Sequence, residues 1–64
     1  MTPLQFIAEV RKYMQLTGAT SKEIRKVTGW SASTMQRKFR NPDSINLLEA
    51  HEIKNFLGMN IAGY

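Results

Sequence analysis

Three glycines and one Asn-Pro pair divide this chain more sharply than any other feature. Gly18, Gly29, Asn41-Pro42 and Gly58 fall at spaced points, and each interval between them is the length of a short helix. Each interval also opens on a residue that caps helices well: Thr2, Thr20, Ser31 and Asn46. No interval alternates apolar and polar residues with period two over a useful length. The reading is all-α, a compact bundle of four to five helices.

The start signals are specific. Thr2 is placed at the N-cap of the first helix with Pro3 at its first position, where a missing N–H costs nothing. Leu4, Ile7, Val10 and Met14 then recur at helical spacing, widened by Phe6 and Tyr13. Thr20 and Glu23 make a T-x-x-E capping box, and Asn46 and Glu49 make an N-x-x-E box. Trp30 before the Ser31 cap and Met35 after it have the spacing of a hydrophobic staple, as do Ile45 and Ala50. Ile24, Val27 and Thr28 are expected to face inward on the second helix, and Met35 and Phe39 on the third. Leu47, Ala50, Ile53, Phe56 and Leu57 form the expected inward stripe of the fourth. Ile61 and Tyr64 in the tail are candidates to fold back or to meet a partner.

A length of 64 residues sets one domain, residues 1–64. So small a chain buries only about 60% of its unfolded surface, so helper contacts matter. There is no cysteine, which excludes disulfides and thiolate metal sites, and the single histidine, His51, builds no metal site alone. No cofactor is expected. No span of about 20 apolar residues exists, and no basic-then-apolar leader opens the chain, so a cytoplasmic protein is the expectation.

The net charge of +4 is unevenly placed. Between positions 22 and 40, Lys22, Arg25, Lys26, Arg37, Lys38 and Arg40 stand against Glu23 alone. Beyond position 40, Lys54 stands against Asp43, Glu49 and Glu52. A basic band beside a mildly acidic end suits a polyanion such as DNA, although a solvated helix surface would read the same way.

The segment from Glu23 to Phe39 holds a short helix, a glycine turn and a second short helix. Ile24, Trp30 and Met35 are spaced as when two helices cross steeply over one core. With E-I-x-x-x-x-G-W-S-x-x-T-M-x-x-x-F it resembles the helix-turn-helix of the phage Cro and repressor-type family. The likeness extends to the opening helix, to Asn41-Pro42-Asp43-Ser44-Ile45-Asn46-Leu47 before the fourth helix, and to Ile53-Lys54-Asn55-Phe56-Leu57-Gly58-Met59 at its end. Two positions depart from the family's pattern. Arg25 stands where the family has alanine, at the near-contact of the two helices, and must snorkel outward or open the crossing. Lys38 stands where the family has an apolar residue.

The resemblance implies a lambda-repressor-like fold in which the helix of residues 31–40 enters the major groove. Ser31, Ala32, Ser33, Gln36 and Arg37 would then meet base edges. Gln suits adenine, Arg suits guanine, serine suits either, and the Ala methyl suits thymine. Thr20, Ser21, Lys22, Lys26, Lys38 and Arg40 would contact phosphates, with the start of the second helix at Thr20 and Ser21 presenting free N–H groups. The bland alternatives are that Gln36 and Arg37 merely face solvent, that Trp30 is a core or staple residue, and that His51 is a surface or half-buried helix residue. Ser31, Ser33 and Thr34 have no histidine base nearby in sequence, so no enzyme and no small-molecule substrate is expected.

The leading functional expectation is a sequence-specific transcriptional regulator on double-stranded DNA, similar to small phage or prophage repressors. It would act as a homodimer through Phe56, Met59, Ile61 and Tyr64. An excisionase-like or architectural DNA role, and a protein-binding module that docks on a host enzyme, are the alternatives.

Overall fold

A computed structural model describes residues 1–59. Among them are four α-helices and no strand: α1 (Pro3–Thr17), α2 (Ser21–Thr28), α3 (Ala32–Arg40) and α4 (Leu47–Leu57), with a single 3-10 turn at Pro42–Ser44 between the last two. The expected calling points along the chain are where the helices stop and start. The turn at Pro42–Ser44 is an addition, closed by the Ile45 N–H donating to the Pro42 carbonyl at 3.1 Å.

The caps explain the boundaries. The Glu23 N–H donates to Thr20 Oγ1 at 3.3 Å while the Thr20 N–H donates to Glu23 Oε1 at 2.9 Å. Asn46 and Glu49 exchange the same pair of bonds at 2.8 and 3.0 Å. A third box at Thr2 and Gln5 closes at 3.1 and 2.9 Å. It is a T-x-x-Q pattern that the reading of the sequence passed over. Ser31 caps α3 through the Thr34 N–H at 3.2 Å. Each box satisfies two backbone donors that would otherwise be lost at a helix start.

α4 packs against both α1 and α2, while α3 rests on α2 and on the 3-10 turn. The shared core takes Phe6, Ile7 and Val10 from α1, Ile24 from α2, Met35 from α3, and Ala50, Ile53 and Leu57 from α4. Trp30, Ile45 and Met59 close it from the connecting segments. Both expected staple pairs, Trp30 with Met35 and Ile45 with Ala50, are buried in this cluster.

Three expected core residues lie outside it. Leu4 is 72% exposed, Leu47 64% and Phe56 41%. The cause is angular. On α4 the buried trio 50, 53 and 57 defines a narrow stripe, and positions 47 and 56 fall roughly a quarter-turn to either side at about 100° per residue. On α1 the stripe centres on positions 6, 7 and 10, which leaves position 4 outside. Val27 and Thr28 are half-buried. No helix among the described residues is long and apolar enough to cross a membrane.

Candidate nucleic-acid interface

The link between α2 and α3 is Gly29-Trp30-Ser31, and it fixes how α3 is presented. Gly29 ends α2 at φ 78°, a backbone state that side chains with a Cβ resist, and its N–H returns to the Arg25 carbonyl at 2.7 Å. The next residue, Trp30, turns into the core and is 8% exposed. Its indole N–H donates to Glu49 Oε2 on α4 at 2.8 Å. The link is thus tied to the first turn of α4.

A second tie comes from α3 itself. The Lys38 ammonium donates to Glu49 Oε1 at 3.0 Å and to the Ser44 carbonyl at 2.9 Å, and it stands 5.6 Å from the centroid of the Trp30 ring. Glu49 therefore receives the Trp30 indole, the Lys38 ammonium and the Asn46 backbone N–H on one carboxylate. Partial burial alone would raise its pKa. The three donors and the Lys38 charge outweigh that, and the carboxyl is held below its ordinary value of 4.5.

With its inner edge fixed by Met35 and Lys38, α3 turns the opposite face to solvent. Ser31, Ala32, Ser33, Gln36 and Arg37 are all exposed. Arg37 is in no ion pair among the described residues, and the Gln36 amide has no partner there. Ser31 is more committed than expected. Its hydroxyl accepts from the Thr34 N–H and donates to Thr34 Oγ1 at 2.9 Å, so its hydrogen-bonding capacity is largely spent on the cap.

Ser21, Lys22, Lys26 and Arg40 are exposed, as phosphate contacts must be. Two other expected phosphate contacts have partners within the fold. Lys38 is turned inward, its side chain 15% exposed and its charge matched by Glu49. The Lys38 stem thus ends in an ion pair at the inner edge of α3. Thr20 offers no free N–H, because Glu23 takes it, and the Glu23 carboxylate adds negative charge where a phosphate would approach. Capping and anion binding compete for the same donors. Ser21 remains for that task.

Arg11 and Arg25 were not among the expected contacts, yet both line a cleft of about 630 Å³ between α1, α2 and α3, next to Ser21, Gln36 and Arg40. Arg25 is half-buried and its side chain lines this cleft. The signal in the sequence is an arginine at position 25, where the resemblance implies an alanine. Arg11 gave no such signal; its guanidinium lies 5.8 Å from the centroid of the Phe39 ring, a pairing that only the fold brings about. His51 is exposed, and no group of three or more His, Cys, Asp or Glu that could hold a metal ion occurs among the described residues.

Compared with family models, with curated proteins and with solved structures, the chain finds no match.

Proposed function

We propose that this chain is a sequence-specific transcriptional regulator that binds duplex DNA with a helix-turn-helix formed by α2, the Gly29-Trp30-Ser31 link and α3. The observation that carries the reading is the two-sidedness of α3. One edge is anchored by Met35 and Lys38, and the other presents Gln36 and Arg37 with no protein partner among the described residues. Those two side chains are the pair best suited to bidentate contact with adenine and guanine. Ser33 and the Ala32 methyl extend the same face. Ser21, Lys22, Lys26 and Arg40 flank it with groups that suit phosphates, which set register without reading sequence.

The lambda-repressor-like arrangement belongs to this proposal, as does a homodimer on two half-sites about one helical turn apart, since one short helix offers few base contacts. Met59 is removed from the candidate dimer surface because it is 5% exposed and part of the core. Phe56 stays available, and Ile61 and Tyr64 lie outside the described residues.

Selection of bound sites from random duplexes tests the reading. A consensus with two-fold symmetry is expected. Recovery of no consensus would favour an architectural DNA role. The other reading, a module that docks on a protein, draws on Leu47 and Leu48, which are 64% and 71% exposed side by side at the start of α4. Salt separates the two. DNA binding weakens steeply with ionic strength through counterion release, and an apolar contact barely responds.

A further inference from the structure

The cleft between α1, α2 and α3 has an unusual charge balance. Each helix contributes one arginine to it: Arg11, Arg25 and Arg40. No aspartate or glutamate among the described residues lines it. Gathering three guanidinium groups around one concavity without a counter-charge is unfavourable, and the concave shape focuses their field onto whatever enters.

Arg25 carries the second observation. Its Nε–H is sealed from solvent and has no hydrogen-bond partner, and its terminal nitrogens have none among the described residues either. A buried donor left unpaired costs stability. An alanine would avoid that cost. The terminal nitrogens are not sealed and are the donors left to an incoming acceptor, and the guanidinium matches the geometry of a phosphate. Met14, Met35 and Phe39 add apolar surface to the lining, and apolar surroundings strengthen a charged contact made beside them. The rim is shared with Ser21 and Gln36, so the cleft opens beside the face assigned above to DNA.

We propose that this cleft is an oxyanion seat, with Arg25 as its anchor and Arg11 and Arg40 at its sides, and that the group it receives is a backbone phosphate of the bound duplex. The last step rests on the DNA-binding reading. Arg25 then positions the reading helix and carries no sequence preference of its own.

Two measurements on the full chain test this separately from the DNA reading. In the first, Arg25→Ala is compared with the parent on specific and scrambled duplexes across a salt series. About tenfold weaker binding on both is expected, with the slope of log affinity against log salt reduced by about one. Arg25→Met, which keeps the stem in the cleft lining, should behave the same way and serves if the alanine variant folds poorly. In the second, inorganic phosphate is titrated at constant ionic strength while the arginine Nε–H resonances are followed. Saturable shifts at Arg25, lost in Arg25→Met, are expected. Should the parent bind no duplex while phosphate still saturates these resonances, the oxyanion seat stands with free phosphate as its source, and the DNA reading falls. Should Arg25→Ala and Arg25→Met bind duplexes like the parent, with phosphate moving no arginine resonance, the seat is overturned and the DNA reading survives.

Discussion

The Lys38 ammonium and the Glu49 carboxylate meet at 3.0 Å and tie the outer helix α3 to the start of α4. Neither end of this pair is on the face that would read DNA. Glu49 also holds the Trp30 indole, so one carboxylate fixes both the link and the body of α3. Glu49→Gln keeps the size of the side chain but removes the charge and part of the acceptor capacity. A loss of about 1–3 kcal/mol is expected in denaturant melts. Lys38→Met should cost less, because Glu49 keeps its other two donors and the stem is conserved in shape.

On the DNA-binding proposal, the same pair separates structural cations from those that would meet phosphate. Lys38 is already matched by Glu49, so Lys38→Met should leave the salt slope of duplex binding unchanged, whereas Arg40→Ala should lower it by roughly one. Equal slope changes for both would show that Lys38 leaves Glu49 to reach phosphate.

Acid should act through Glu49. Its carboxyl is held below 4.5 in the fold, so the stabilisation it gives is fully present above the ordinary glutamate range. That stabilisation is lost as pH falls through the lowered folded value. Thermal melting followed downward from neutral pH should show the parent losing stability below about pH 4.5 more steeply than Glu49→Gln. Parallel curves for the two proteins would assign the acid sensitivity to other carboxylates.

Met35→Asp should unfold the chain. Met35 is 6% exposed and is the buried contribution of α3 to the core. An unpaired carboxylate there costs several kcal/mol, comparable with the whole stability of about 3–10 kcal/mol for a domain of this length. Circular dichroism at room temperature checks it. A parent-like melt would mean that α3 faces the other way.

Arg37→Ala and Lys22→Ala should fail differently. Arg37, if it reads a base, contributes roughly 1–3 kcal/mol of discrimination, so its loss weakens the preferred site far more than scrambled DNA. Lys22 at the start of α2 should weaken all duplexes alike. Titration of both duplexes with both variants decides between them. Equal losses for Arg37→Ala would mean that α3 grips phosphate and does not read bases.

The helix boundaries were legible because they are written locally. A cap and its partner lie three residues apart, and Gly29 or Pro42 acts on its own neighbourhood. Burial was legible where the stripe was narrow, as at Ala50, Ile53 and Leu57, and misjudged at its margins, as at Leu4, Leu47 and Phe56. What could not be read was long-range. Nothing near Lys38 in the sequence announces Glu49, and nothing near Arg11 announces Phe39. Both pairings join different helices and depend on how those helices come to lie together. That is why a lysine expected on phosphate is an internal tie, and why Arg11 joins a cleft that spacing did not disclose.

The outward face of α3 contributes little to holding the molecule together. Ala32, Ser33, Gln36 and Arg37 are exposed, while Ser31, Met35 and Lys38 carry the cap, the core contact and the tie to α4. Exposed positions of this kind tolerate exchange within about 0.5 kcal/mol. The four outward positions are therefore free to diversify on a constant scaffold, in evolution or in a randomised library. New binding preferences could arise there without the chain first having to regain its fold.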